Sequence, residues 1–414
     1  MSFFGKHPPL NALSNFDIEL QYFYNELLSV MLKNEKLKKT VLKSLDKDRI
    51  RHIQKISSKV SLQYTAYIFR YGPCYTSALA NYMLRMVKEN PFIFRDALWK
   101  RSVNICCFGN ATVIEIVAIC KIFSLAQDGF WECTRKPLTI NVTVVGKTLH
   151  HTRATTHTLK LLLKMNNILD TSKMLISVHH LNANPAKLLK SSLVKALREA
   201  DLVTMVKYVS TIRVGTVMEQ FIWEVADNMK IGGTLFFLDI VMIQQFKLLQ
   251  KVLVPSNDFE NIYGPSNIEP FCLSIKSVQK SVELFWSRFQ GNICLTGSIV
   301  NSCAWRKSES IPTEKETGQT KKNSKLSRKT MTERARKTKQ EWCENVQKSQ
   351  KALLDYHRQV RHIIPNENKR RKNNQEDDSC FFLDYPNYDE NILFKSKSKS
   401  RRIYLDESAD FSVA

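Results

Sequence analysis

The sequence has 414 residues, 43% of them hydrophobic, with 62 Lys and Arg against 39 Asp and Glu and a net charge of +23. That much apolar content buries one large core, or one core with a smaller domain and a tail, and excludes more than two compact pieces. Ten cysteines with no Cys-x-x-Cys pair exclude a disulfide framework and a zinc site, and no uncharged apolar run nears the ~18 residues that span a bilayer. The expectation is a soluble, intracellular protein, nuclear or cytoplasmic, with buried reduced thiols, no metal and no membrane partner. The basic balance favours a polyanion such as RNA, against the plainer reading of a solvated basic surface.

Residues 13 to about 60 carry a helical stripe: Phe16, Leu20, Phe23, Leu27 and Met31 recur at spacings of three and four. A lysine-rich amphipathic stretch follows, with Leu37, Val41, Leu42 and Leu45 keeping the period. Tyr64, Tyr67, Tyr71, Tyr75 and Tyr82 then lie along one or two helices, broken near Gly72 and Pro73 because proline disfavours a continuing helix. The tyrosines read either as packing with polar tips or as a wall beside the strand that follows.

Ser102 to Phe123 reads as a buried strand, a tight turn at Gly109 and an apolar helix from about Thr112. Strands are further predicted at Leu138 to Val145, Met174 to Val178, Asp201 to Ser210 and Thr234 to Ile240, rich in β-branched or apolar residues. His179, His180, Leu181 and Asn182 close the third of the series. Helices fall between them, so the sheet is parallel with helices on both faces. A helix from about Ser274 to Phe289 precedes two short strands split near Gly297, read as a hairpin closing the sheet edge.

From Ser308 the apolar pattern is lost, and 308 to about 329 reads as a linker. Thr330 to Glu333 has the spacing of a capping box that opens a helix running to about Ile364, with Trp342, Val346, Leu353, Tyr356 and Val360 as its stripe. Seventeen Lys and Arg against five Asp and Glu lie between Lys321 and Lys372. Arg334, Arg336, Lys337, Lys339, Arg370 and Arg371 are the candidate nucleic-acid contacts, and Trp342, Val346 and Leu353 the candidate protein-docking stripe. The last stretch, with its aromatic and acidic residues, reads as disordered.

Three segments carry a resemblance: CCFGNATVIE after the first strand, ADLVTMVKYVS with its helix and MKIGGTLFFLD, and SIVNSCAWRK at the close. The chain from about Val103 to Lys307 resembles the class I S-adenosylmethionine-dependent methyltransferases. The resemblance implies an α/β, Rossmann-like seven-stranded sheet, mostly parallel with the last strand reversed. The division is then 1–100 N-terminal helical region, 101–307 methyltransferase-like domain, and 308–414 basic linker, helix and tail. It also implies S-adenosylmethionine at Gly109, Glu115, Gly146, His180 and Asn182, with Lys207 and Asp239 facing a methyl acceptor.

The family's pattern is altered at several of these positions. Asn110 to Val113 stand where glycines are usual, Gly146 where a carboxylate accepts the ribose hydroxyls, and His180 and Asn182 where an acidic turn holds the adenine. Two readings therefore stay open. One is a methyltransferase with unusual contacts, the other a pseudo-methyltransferase without cofactor that works on or near nucleic acid, or as an adaptor, through its basic arm.

Overall fold

A computed structural model of the chain describes residues 13–31, 60–109, 112–126, 135–146, 149–162, 164, 172–181, 189–209, 216–240, 248–249, 251–253, 258–265, 269–287, 294–308 and 324–364. The charged stretch after Met31, Asn182, Arg370, Arg371 and the final segment lie outside the described residues. The described residues belong to one compact unit.

In chain order the elements are α1 (Phe16–Met31), α2 (Val60–Glu89), α3 (Arg95–Trp99), β1 (Ser102–Phe108), α4 (Thr112–Leu125), β2 (Leu138–Val145), α5 (Leu149–Leu162), β3 (Met174–Leu181), α6 (Ser191–Glu199), β4 (Leu202–Val206), α7 (Thr216–Asp227), β5 (Thr234–Ile240), β6 (Phe259–Tyr263), β7 (Glu269–Cys272), α8 (Ile275–Phe285), β8 (Gly297–Lys307) and α9 (Ser324–Arg361). The strands form one sheet in the order β3-β2-β1-β4-β5-β8-β6, with β7 also paired to β8. Strands β1 to β5 are parallel, and β8 runs antiparallel to β5, β6 and β7. The 3-2-1-4-5 order is that of a doubly wound Rossmann-like sheet. With the last strand reversed, the fold is methyltransferase-like.

Period-two alternation of the central strands divides the core into two layers. Val103, Ile105 and Cys107 of β1, Leu202 and Val206 of β4, and Phe236 and Leu238 of β5 face a layer shared with α1, α2 and α4. Cys106, Phe108, Val203, Met205, Leu235 and Phe237 face a second layer with α6 and α7. The N-terminal helices therefore belong to the same core as the sheet. The Asp17 carboxylate of α1 accepts from Ser274 N–H (2.8 Å), Ser277 Oγ donates to the Asp17 carbonyl (3.0 Å), and Gln21 Nε2 donates to Ser277 Oγ (2.9 Å).

Asp201 clasps the amino ends of three strands. Its carboxylate accepts from Asn104 N–H (2.9 Å) and from Lys230 Nζ (2.5 Å), while its backbone joins Asn104 and Thr234. The acidic residue before β4 thus fixes strand alignment at the edge opposite the one where this fold places ligands.

The structure corrects four expectations. Helix α2 is continuous through Pro73. The ring removes the amide donor that would serve the Phe69 carbonyl; one residue on, the Arg70 carbonyl accepts from Leu295 N–H (2.6 Å), outside the helix, and the helix is buried against α1 and α4. Strand β3 runs on through His179 and His180 to Leu181, because its ladder with β2 continues to Val145. The hairpin near Gly297 is a single strand, β8, whose partners β6 and β7 come from the segment before α8. Helix α9 starts at Ser324, so Thr330 to Glu333 is helix interior; no glycine or proline interrupts 319–364 to set a later start.

Two substitutions test this packing. The ring of Tyr24 lies where a Cβ on Gly72 would stand, so Gly72→Ala is expected to destabilise by about 1–3 kcal/mol through overpacking, against a helix-propensity gain of about 1 kcal/mol. A net gain in urea denaturation would refute the close approach of α1 and α2. Leu353 is 2% exposed, and Leu353→Ala is expected to cost about 2–5 kcal/mol in the same assay; a change within error would detach α9 from the core.

Candidate functional site

The carboxyl ends of β1 and β4 lie side by side, and this is where an open α/β sheet holds its ligand. Gly109 ends β1 with φ +118, a conformation that a side chain rarely adopts, and its N–H donates to the Val145 carbonyl (3.2 Å). The space beside it is taken by Tyr208, whose Cδ2 stands 3.0 Å from where a Cβ would be. Tyr208 packs in turn on Phe108 and Phe221, with ring centroids 5.9 and 6.0 Å away. Burial holds its phenol well above the usual range.

Lys207 precedes it with φ +48, a left-handed backbone costing a non-glycine residue about 1–3 kcal/mol. Strand alternation after Met205 aims position 207 at the α6–α7 layer. The left-handed turn reverses that aim and sends the side chain to α2. There Nζ stands 4.1 Å from the ring centroid of Tyr75, 4.4 Å from that of Tyr71 and 5.9 Å from that of Tyr67. These tyrosines recur every fourth residue, so they share one face of α2. Lys207 is 7% exposed, Tyr71 6% and Tyr75 0%. A cation over desolvated aromatic faces is worth about 2 kcal/mol or more. The Tyr75 hydroxyl is anchored on Ser298 Oγ (3.0 Å), which fixes its ring from the far side.

The other residues singled out in the sequence are scattered. Glu115 does not line this edge: it is fully buried beneath β4, where Thr204 Oγ1 donates to its Oε1 (2.7 Å). Burial raises its carboxyl to about 8 despite the hydrogen bonds from Thr204 and the Val206 backbone. Gly146 follows β2, offers no side chain, and donates its N–H to the Leu181 carbonyl (3.0 Å). His180 lies within the β3 strand, opposite Val144, and not in a turn after it; burial and then His179 lower its pKa. Asp239 is fully buried inside β5, opposite Asn301 of β8. Lys207 and Gly109 meet through Tyr208, and Lys207 N–H donates to the Leu238 carbonyl beside Asp239 (2.9 Å).

On α9, Arg334, Arg336, Lys337 and Lys339 fall in consecutive helical turns. Of the docking stripe, Val346 is half-buried, while Leu353 is spent within this chain, its Cδ1 against Gly297 of β8. That part of the stripe is closed to a partner, because the same apolar face covers β7 and β8. Among the described residues no group of three or more His, Cys, Asp and Glu is arranged to hold a metal ion, and no helix is long and apolar enough to cross a membrane. A cleft of about 260 Å³ opens at the opposite, amino edge of the sheet, beside Phe92, Arg95, Asp201, Lys230 and Arg306.

No protein-family model matches the sequence, and no curated protein matches it. Solved structures similar to it include an arsenic(III) S-adenosylmethionine methyltransferase from Chlamydomonas reinhardtii, at 12% identity and TM-score 0.26, covering 51% of this chain and 64% of that one. An O-methyltransferase family protein from Burkholderia thailandensis is 9% identical at TM-score 0.25, with 58% and 64% covered. An S-adenosylmethionine-dependent methyltransferase from Methanosarcina mazei is 12% identical at TM-score 0.24, with 49% and 92% covered. The methyltransferase-like character of the fold rests on its strand order and reversed β8, not on these scores.

The buried carboxyl of Glu115 predicts a pH dependence. In the unfolded chain it loses its proton near the ordinary 4.5, in the folded chain only near 8, so its effect is to lower stability as pH rises between those values and no further above them. Glu115→Gln keeps an acceptor for Thr204 and has no proton to lose. Urea midpoints across that window are expected to fall less steeply for the variant, which gains on the native chain toward the alkaline end. Parallel pH profiles for the two proteins would refute the assignment.

Proposed function

We propose that this is a pseudo-methyltransferase: a class I methyltransferase-like fold that binds without transferring a methyl group. The observation that carries the reading is the occupation of the β1 and β4 ends by Tyr208 and Lys207. The cofactor of this fold needs backbone access beside the first glycine, and Tyr208 fills that space at Gly109. It carries a sulfonium, a permanent cation, which would have to displace the buried ammonium of Lys207. A carboxylate would accept its ribose hydroxyls, and Gly146 has none to offer. The described residues therefore do not fit S-adenosylmethionine, and no transfer step is derived through it.

The partner we favour is nucleic acid. The support is the chain's charge of +23 and the basic run of Arg334, Arg336, Lys337 and Lys339 on successive turns of α9, with Arg370 and Arg371 beyond it in sequence. Phosphate contacts of this kind position a protein without reading bases.

Two measurements test the proposal. Calorimetric titration of the folded chain with S-adenosylmethionine and with its demethylated product is expected to give no binding heat; micromolar affinity for either would overturn the pseudoenzyme reading. Fluorescence anisotropy with single-stranded RNA is expected to show affinity falling steeply with salt. Replacing the four α9 basic residues with alanine should reduce the magnitude of the log–log salt slope by about 0.7 for each phosphate no longer neutralised. An unchanged slope would remove α9 from the interface.

A further inference from the structure

We propose that Tyr67, Tyr71 and Tyr75 form a binding site for a small methylated ammonium cation, and that Lys207 is its built-in competitor. The geometry is that of a cage: three rings from one helix face converge on a single nitrogen within 4.1 to 5.9 Å. Aromatic enclosures of this kind select methylated cations, whose charge is spread over weakly hydrated methyl groups. A lysine ammonium is a compact, strongly hydrated charge that gives up more on leaving water. The cage therefore holds its lysine less well than it would hold a methylated nitrogen of the same charge.

Lys207 fills the cage because it is tethered beside it, which gives it a high effective concentration. It does so from a strained left-handed backbone, φ +48, the turn that aims the side chain at the rings. The receiving rings, in contrast, are fixed. Tyr75 is pinned through its hydroxyl to Ser298, and Tyr71 is buried in the α2 layer, with the Arg70 guanidinium 5.8 Å from its centroid. Tyr67 is half-buried and forms the more open side. Outward rotation of Lys207 leaves a preformed aromatic site, and a ligand's apparent affinity is reduced by the fraction of time the lysine stays in.

Tetramethylammonium is the probe. In the native full-length chain, Lys207 is expected to react slowly with an amine-acylating reagent, as mapped by peptide mass spectrometry. Tetramethylammonium chloride should speed its modification about threefold over sodium chloride at equal ionic strength. In Lys207→Ala, the same salt should raise the melting temperature where sodium chloride and the neutral isostere tert-butanol do not, and Tyr71→Leu added to that variant should abolish the effect. An unchanged rate of Lys207 modification overturns the proposal, as does stabilisation of Lys207→Ala by tert-butanol as strong as by tetramethylammonium. Binding of S-adenosylmethionine to the native chain that leaves Lys207 modification unchanged would end the pseudoenzyme reading and leave the cage standing on the tetramethylammonium arms.

Discussion

The left-handed turn at Lys207 organises the carboxyl edge of the sheet. With ordinary strand geometry the residue would continue into the α6–α7 layer, where an ammonium would meet Phe108, Phe221 and Met205. Because its φ is +48, the charge crosses to the α2 side and rests on tyrosine faces, while the next residue, Tyr208, takes the apolar place on the other layer. One backbone inversion thus fills the ground beside Gly109 from one side of the sheet and the tyrosine cage from the other. The strain is compensated by two sets of aromatic contacts, one for each residue.

That arrangement requires α2 to lie over the strand ends as one rigid element. Tyr67, Tyr71 and Tyr75 face the same point only if the helix keeps its pitch through Gly72 and Pro73. Tyr24 of α1 closes on Gly72, and Leu295 satisfies the Arg70 carbonyl. The N-terminal helices are consequently part of the site's wall. Their attachment to α8 through Asp17, Gln21 and Ser277 links the wall to the elements that lead into β8, and Ser298 of that strand pins Tyr75.

The two charged residues of the ADLVTMVK segment act differently at its two ends. Asp201 ties β1, β4 and Lys230 together at the amino edge, whereas Lys207 faces the cage at the carboxyl edge. Glu115 occupies a third position, under the strand, where its carboxyl is held as a neutral acid by burial. The family resemblance associates Glu115 and Lys207 with ligand binding and gives Asp201 no role. Burial and hydrogen bonding distribute them between register, core and site.

The sequence by itself determined the central strands and the α/β class. Strands β1, β2 and β5 and helix α4 follow from apolar and β-branched runs bounded by glycine, and the βα alternation dictates parallel pairing with helices on both faces. The tyrosine spacing on α2 was legible too, with its two meanings undecided. The tertiary structure alone decided that α2 is unbroken, because packing on α1 and α4 and the bond from Leu295 N–H to the Arg70 carbonyl hold the turn before Pro73 from outside the helix. It alone brought β6 and β7 to β8, since edge strands carry short, half-exposed patterns with little periodic signal. It alone gave Lys207 to the tyrosines and Glu115 to the core: a left-handed φ on a lysine and the burial of a carboxyl arise from long-range packing, and neither leaves a mark in local sequence.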